Sequence, residues 1–213
     1  LVLELGIGES SGGRRPVMLG INPNARYAIS VILKPKGAIC ALVDLECNIV
    51  EEYDIKCPIK GTHSVTTVLR QCIEDIFNTY GDIKYNIAGV GISAPGIIGE
   101  DGCILYSAPL NVKDFDIVEV LKAEVYDMDY FVFKDTDALI LGEYNFGIGK
   151  KYRNFAYIMV EDGVGMSYIK DGKLFRPSSM GGFELGHMTI DLDGPICRCG
   201  NRGCLGTTIS EDY

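Results

Sequence analysis

His187, Cys197, Cys199 and Cys204 bring one imidazole and three thiols together near the end of the chain. The segment Cys197-Arg198-Cys199-Gly200-Asn201-Arg202-Gly203-Cys204 carries two glycines, which let a loop fold back tightly. Three thiolates and one imidazole are the soft donor set of a closed tetrahedral zinc site. A full protein shell leaves no open coordination position, so such a metal is structural. The alternative is three ordinary buried thiols, since free cysteine is among the most buried residue types. Of the eight cysteines, Cys40, Cys47, Cys57, Cys72 and Cys103 lie in apolar strand-like or helix-like runs and read as core. The other three are surrounded by Gly, Asn and Arg, which is loop composition. The sequence therefore favours the metal.

The elements that must hold this loop are legible in the hydrophobic pattern. The 213 residues are 47% apolar, enough for a sizeable core in one large or two small domains. No stretch resembles a signal peptide and no apolar run reaches bilayer length; with scattered unpaired cysteines, this predicts a reducing cytoplasm. A formal charge of −9 argues against a nucleic-acid-binding surface in this chain. Residues 1–18 read as a linker, with a short strand over 1–5 and then a flexible polar stretch. Strands are expected over 27–33, 38–45 and 49–55, forming an antiparallel meander. Val65, Val68, Leu69, Cys72, Ile73, Ile76 and Phe77 recur at helical spacing, with Gly81 at the expected C-cap. A buried strand over 87–94, a helix over 117–126, a strand over 130–133 and a helix over 138–146 follow. After Gly149 the theme restarts with strands over 155–160, 165–170 and 174–175. The order predicts an α/β fold with mixed sheets and weak internal duplication: a first lobe over 19–148 and a second over 149–213 that stops short of its later helix–strand units. Its last sheet should then have an open edge.

Gly182-Phe183-Glu184-Leu185-Gly186-His187-Met188-Thr189-Ile190-Asp191, followed by the cysteine loop, closely resembles the signature of the ROK family (repressors, open reading frames and sugar kinases). Ile92-Ser93-Ala94-Pro95-Gly96 is similar to that family's sugar-side loop, and Lys134-Asp135-Thr136-Asp137-Ala138 with Gly142-Glu143 to its catalytic-aspartate segment. Glu9-Ser10-Ser11-Gly12-Gly13-Arg14-Arg15-Pro16 resembles the linker that follows a winged helix-turn-helix in the repressor branch. The resemblance implies an actin-like, ribonuclease-H-type bilobal fold with a structural zinc loop in the second lobe. It also implies a sugar or sugar-phosphate ligand, a homodimer, and DNA contact only through an N-terminal domain absent here. Glu184 and His187, three residues apart, can face the same way and suit vicinal hydroxyls; zinc on one ring nitrogen of His187 would aim the other at a sugar. Glu184 can equally be a solvated loop carboxylate. Asp135 ends a strand before a helix, where open α/β sheets place ligand chemistry, and in the family's kinases the matching aspartate takes the proton of the attacking hydroxyl. Asp135 or Asp137 can alternatively cap a helix beginning near Ala138.

Three departures bear on function. Lys134 stands where many relatives carry Asn. The turn Lys34-Pro35-Lys36-Gly37 offers no carboxylate for magnesium, and Pro35 removes a backbone N–H that phosphate would need. Gly206 replaces a glutamate that contacts sugar. The turn Glu161-Asp162-Gly163-Val164-Gly165 keeps glycines that can accommodate phosphate. The leading expectation is a sugar-responsive effector domain of a ROK-type repressor, binding ligand at Asp135, Glu184 and His187 with zinc on His187, Cys197, Cys199 and Cys204. The alternatives are an ATP- and magnesium-dependent hexose kinase with Asp135 as base, and a non-catalytic fragment mediating assembly.

Overall fold

In the computed structural model every residue is described except 11, 13, 162, 178–181 and 211–213, and of 84 and 85 the backbone alone. The chain divides into two compact units, Leu1–Val132 and Phe133–Tyr213. The unit boundary thus lies earlier than the 148/149 division drawn from the sequence, because the helix after position 134 packs on the strands that follow it.

The first unit opens on a hairpin, not on the flexible linker expected over 1–18. Strand β1 (Val2–Ile7) pairs antiparallel with β2 (Val17–Ile21). Apolar residues meet across it, Val2 opposite Ile21 and Ile7 opposite Val17, and the polar connection between them concealed that match. Then come β3 (Tyr27–Lys34), β4 (Gly37–Asp44) and β5 (Ile49–Ile55), the expected antiparallel meander. The Asp44 carboxylate accepts the N–H groups of Glu46 and Asn48 and tightens the β4–β5 turn. That turn leaves Cys47 exposed at φ 62, which corrects its assignment to the core; Cys57 and Cys103 are half-buried.

Helix α1 (Thr62–Thr79) buries Val65, Val68, Leu69, Cys72, Ile73, Ile76 and Phe77, the stripe read from periodicity. It ends on Tyr80, and Gly81 starts a 3₁₀ turn (Gly81–Asn86) instead of serving as the cap. Strand β6 (Ile87–Ala94) lies parallel to β3. A small antiparallel sheet of β7 (Ile97–Ile98), β8 (Ile104–Ser107) and β9 (Val112–Phe115) was not anticipated. Its strands are too short to show a period. Helix α2 (Ile117–Glu124), N-capped by the Asp116 side chain, leads to β10 (Tyr130–Lys134). Among the described residues the main sheet has the order β10-β6-β3-β4-β5 and is mixed, as expected.

The second unit starts with α3 (Asp135–Asn145), three residues earlier than the sequence suggested. Strands β11 (Phe155–Val160), β12 (Val164–Lys170) and β13 (Lys173–Leu174) form an antiparallel meander. A 3₁₀ turn (Leu185–His187) and a short helix α4 (Gly206–Ile209) flank the cysteine loop. Among the described residues no helix is long and apolar enough to cross a membrane.

Candidate metal centre and adjoining polar site

His187 is presented by a turn that only glycine permits. A Cβ on Gly186 would overlap the Val164 carbonyl oxygen of β12. On the α4 side, a Cβ added at Gly206 would stand 3.2 Å from the Gly186 carbonyl oxygen. The cysteine segment then folds into a knuckle. The Cys197 N–H donates to the Asn201 carbonyl at 2.7 Å and the Gly200 N–H to the Cys197 carbonyl at 2.9 Å, with Ile196 bridged to Arg202. Gly203 sits at φ 64 against the Asp191 carbonyl, where a side chain has neither the backbone conformation nor the room. The bridge between Thr189 and Cys204 returns the last cysteine beside the histidine.

One ligand atom from each of His187, Cys197, Cys199 and Cys204 lies within 4.8 Å of the others. Cys197 Sγ is 3.4 Å from His187 Nδ1, and Cys199 Sγ is 3.8 Å from Cys204 Sγ. A zinc tetrahedron with bonds of about 2.3 Å to sulfur and 2.05 Å to nitrogen has S···S edges of about 3.8 Å and S···N edges of about 3.5 Å. All three cysteines are free thiols. Burial, then the neighbouring Cys197 and Cys199 sulfurs, push the Cys204 thiol up to about 11. Three thiols so close cannot all ionise without a cation, a charge that zinc held by these residues would supply. The donor set and its spacing fit the metal, which when bound would hold the ring of His187 and order the loop. With Nδ1 toward the sulfurs, Nε2 lies on the side of Glu184, 3.9 Å from its Oε2.

Glu184 is carried by an aromatic cluster: Phe183 packs against Tyr168 and Phe175, with ring centroids 6.4 and 5.9 Å away. Its Oε1 accepts from Lys134 Nζ at 3.0 Å, an ion pair that the sequence did not reveal. Lys134 ends β10 and stands at the N-cap of α3 without a side-chain cap bond. Asp135 and Asp137 are therefore first-turn residues, not caps, and their charges face the positive end of the helix dipole. Asp135 Oδ1 accepts the Thr136 N–H at 2.7 Å. Burial pushes the Asp135 carboxyl above the usual range; the Thr136 N–H and Lys134 oppose this, whereas Glu184 and Asp137 add to it.

What anchors the first turn of α3 has no local signature in the sequence. The buried Ser167 hydroxyl of β12 donates to Asp137 Oδ1 at 2.6 Å and lies 2.9 Å from the Thr136 hydroxyl. Arg176 Nε lies 3.7 Å from the other Asp137 oxygen. A Cβ at Gly165 would stand 2.7 Å from the Thr136 methyl, so α3 sits close on β12 there. Gly165 therefore serves packing, whereas Gly163 faces open space and Asp162 lies outside the described residues.

The Lys34–Gly37 turn is tied down, since the Pro35 carbonyl accepts the Ile59 N–H at 2.9 Å and Gly37 abuts the Ile55 carbonyl. Gly206 is buried, and any larger residue would crowd Gly186. In the first unit, Gly96 turns at φ 124 against the Tyr106 carbonyl after β6. Of the resemblance to a repressor linker, Ser11 and Gly13 lie outside the described residues.

The comparisons with known proteins agree with this architecture. Residues 36–212 match the ROK family. The xylose repressor of Bacillus subtilis is 34% identical over 211 residues, 99% of this chain and 55% of that protein. The DNA-binding transcriptional dual regulator NagC of Escherichia coli K12 is 28% identical over 214 residues, 99% of this chain and 52% of that protein. The chain thus spans about half the length of the curated relatives it matches. A ROK family transcriptional regulator, a homolog of E. coli MLC protein, superposes with a TM-score of 0.80 at 31% identity, over 92% of this chain and 50% of that one. A ROK glucokinase from Streptomyces griseus, in complex with glucose and AMPPNP, shares the fold with a TM-score of 0.75 at 22% identity, over 86% of this chain and 57% of that one. With a matching sequence family over most of its length and the same mixed α/β architecture, the chain belongs to the ROK family.

Proposed function

We propose that this chain is the effector-binding portion of a sugar-responsive ROK transcriptional repressor of the cytoplasm, binding a sugar or sugar phosphate through Asp135, Glu184 and His187. The observation that carries this reading is the placement of Glu184 between the Lys134 ammonium and the ring of His187, with its charge felt at Asp135. Carboxylates and an imidazole grouped in this way can accept from and donate to neighbouring hydroxyls. Zinc held by His187, Cys197, Cys199 and Cys204 would fix the imidazole and leave its Nε2, on the side of Glu184, to address ligand. The relatives named as repressors support the regulatory role. DNA contact would belong to the part of such proteins that this chain does not match, and self-association to a homodimer is part of the same proposal.

A kinase reading has one observation in its favour: a carboxyl raised by burial, as Asp135 is, is better matched to accepting a proton near neutral pH. The tied-down Lys34–Gly37 turn speaks against it, with no carboxylate for magnesium.

Isothermal titration of the zinc-loaded protein with pentoses, hexoses and their phosphates tests the repressor reading. At least one sugar should bind, and Glu184→Gln should weaken it by about tenfold or more, the scale of a charge-assisted hydrogen bond lost from a partly buried site. Binding that survives Glu184→Gln unchanged would remove the site from contention.

A further inference from the structure

The cation in this cluster carries information about the ligand that the acidic residues do not. The Lys134 side chain is only 18% exposed, and its ammonium lies 3.0 Å from Glu184 Oε1. Arg176 lies toward a different carboxylate, with its Nε 3.7 Å from Asp137 Oδ2. Glu184 is thus the carboxylate hydrogen-bonded to the Lys134 ammonium, and in the reading above it is also the one that takes a hydroxyl.

These two tasks conflict for a neutral sugar. A hydroxyl that takes Glu184 Oε1 for itself offers the ammonium an alcohol oxygen in place of that carboxylate oxygen, and a mostly buried cation loses its charge-assisted hydrogen bond. A ligand bearing its own anion beside the hydroxyl removes the conflict. Its anion receives the lysine N–H groups while its hydroxyl donates to Glu184. Lysine is a compact three-donor cation suited to a carboxylate or a phosphate.

We propose that Lys134 makes this an anionic-sugar site: the effector carries a carboxylate or phosphate that docks on the Lys134 ammonium, while Glu184 and Asp135 read its hydroxyls. This rests on the sugar-binding reading above and narrows it to one chemical class. The two sources of the charge, a sugar acid and a phosphorylated sugar, are separated by the test.

The zinc-loaded protein is titrated calorimetrically with glucose, xylose and N-acetylglucosamine, with glucuronate, and with the phosphates of the three sugars, at low and high salt. One anionic sugar should bind about tenfold or more tightly than its neutral counterpart, the worth of one charge-assisted contact, and should lose more of its affinity to added salt. Lys134→Asn should bring the ratio of the two affinities toward one, and Lys134→Arg should keep most of it. Zinc content and circular dichroism show whether each variant is folded. Should Lys134→Asn fail to fold, the salt dependence and Lys134→Arg decide. Equal affinity for neutral and anionic sugars, or a ratio unchanged in folded Lys134→Asn, overturns the role of Lys134 and leaves sugar binding standing. Silence towards every sugar by folded, zinc-loaded protein overturns both.

Discussion

Cys199 is the exposed cysteine of the candidate metal set, whereas Cys197 and Cys204 are buried. Its replacement therefore removes a ligand without opening the core. Cys199→Ser should lower zinc content from about one per chain to well below half, by elemental analysis after dialysis, with the far-ultraviolet circular dichroism unchanged. Asp135 gives a second expectation, from the cost of burying its charge. Its folded-state pKa is raised, so the native state holds a proton that the unfolded chain has already released. Its contribution to stability is present at low pH and lost as pH rises through the ordinary aspartate range and the raised value above it. Asp135→Asn, whose amide oxygen can still accept the Thr136 N–H, should gain stability relative to the parent as pH increases from 4 to 7. Urea denaturation at both pH values checks this, and a gap that narrows with pH would contradict it. The difference between variant and parent is the quantity to compare.

At the scale of elements, α1 holds the first unit together. Its apolar stripe was readable because one helical face requires a period near 3.6, and Leu69 sits at the middle of that stripe, fully buried. Leu69→Ala should cost about 2–5 kcal/mol in urea unfolding, from lost transfer energy and the cavity left behind. The start of α3 was less legible. A helix was expected near Ala138 because the polar run Lys134–Asp137 resembles a cap, yet the helix begins at Asp135. What favours the earlier start is non-local: Ser167 and Gly165 on β12 meet the Thr136–Asp137 turn. The hairpin of β1 and β2 escaped notice for a related reason, since its two apolar halves are separated by a long polar connection.

Over the molecule as a whole, similarity to repressors and to a glucokinase means that fold does not choose between regulation and catalysis. The choice belongs to the sites. Incubation with ATP, magnesium and the sugar found to bind should yield no sugar phosphate above the uncatalysed background, measured by coupled nucleotide assay. Phosphate transfer depends on positioned donors and metal, and the turn that would supply them carries proline and no acidic side chain. Turnover that tracks Asp135 would establish the kinase reading instead.

The clustering of His187 with the cysteine loop, and the meanders, could be read from the chain because their causes are local. Ligands a few residues apart are brought together by a short tether with glycines at its turns, and strands and helices announce themselves by the period of their apolar faces. The pairing of Lys134 with Glu184, fifty residues apart, had no such signature. It required β10 and the aromatic cluster of Phe183, Tyr168 and Phe175 to place two charges side by side. Folding thus decided which of the charged residues act together, and with it the ligand chemistry now open to test.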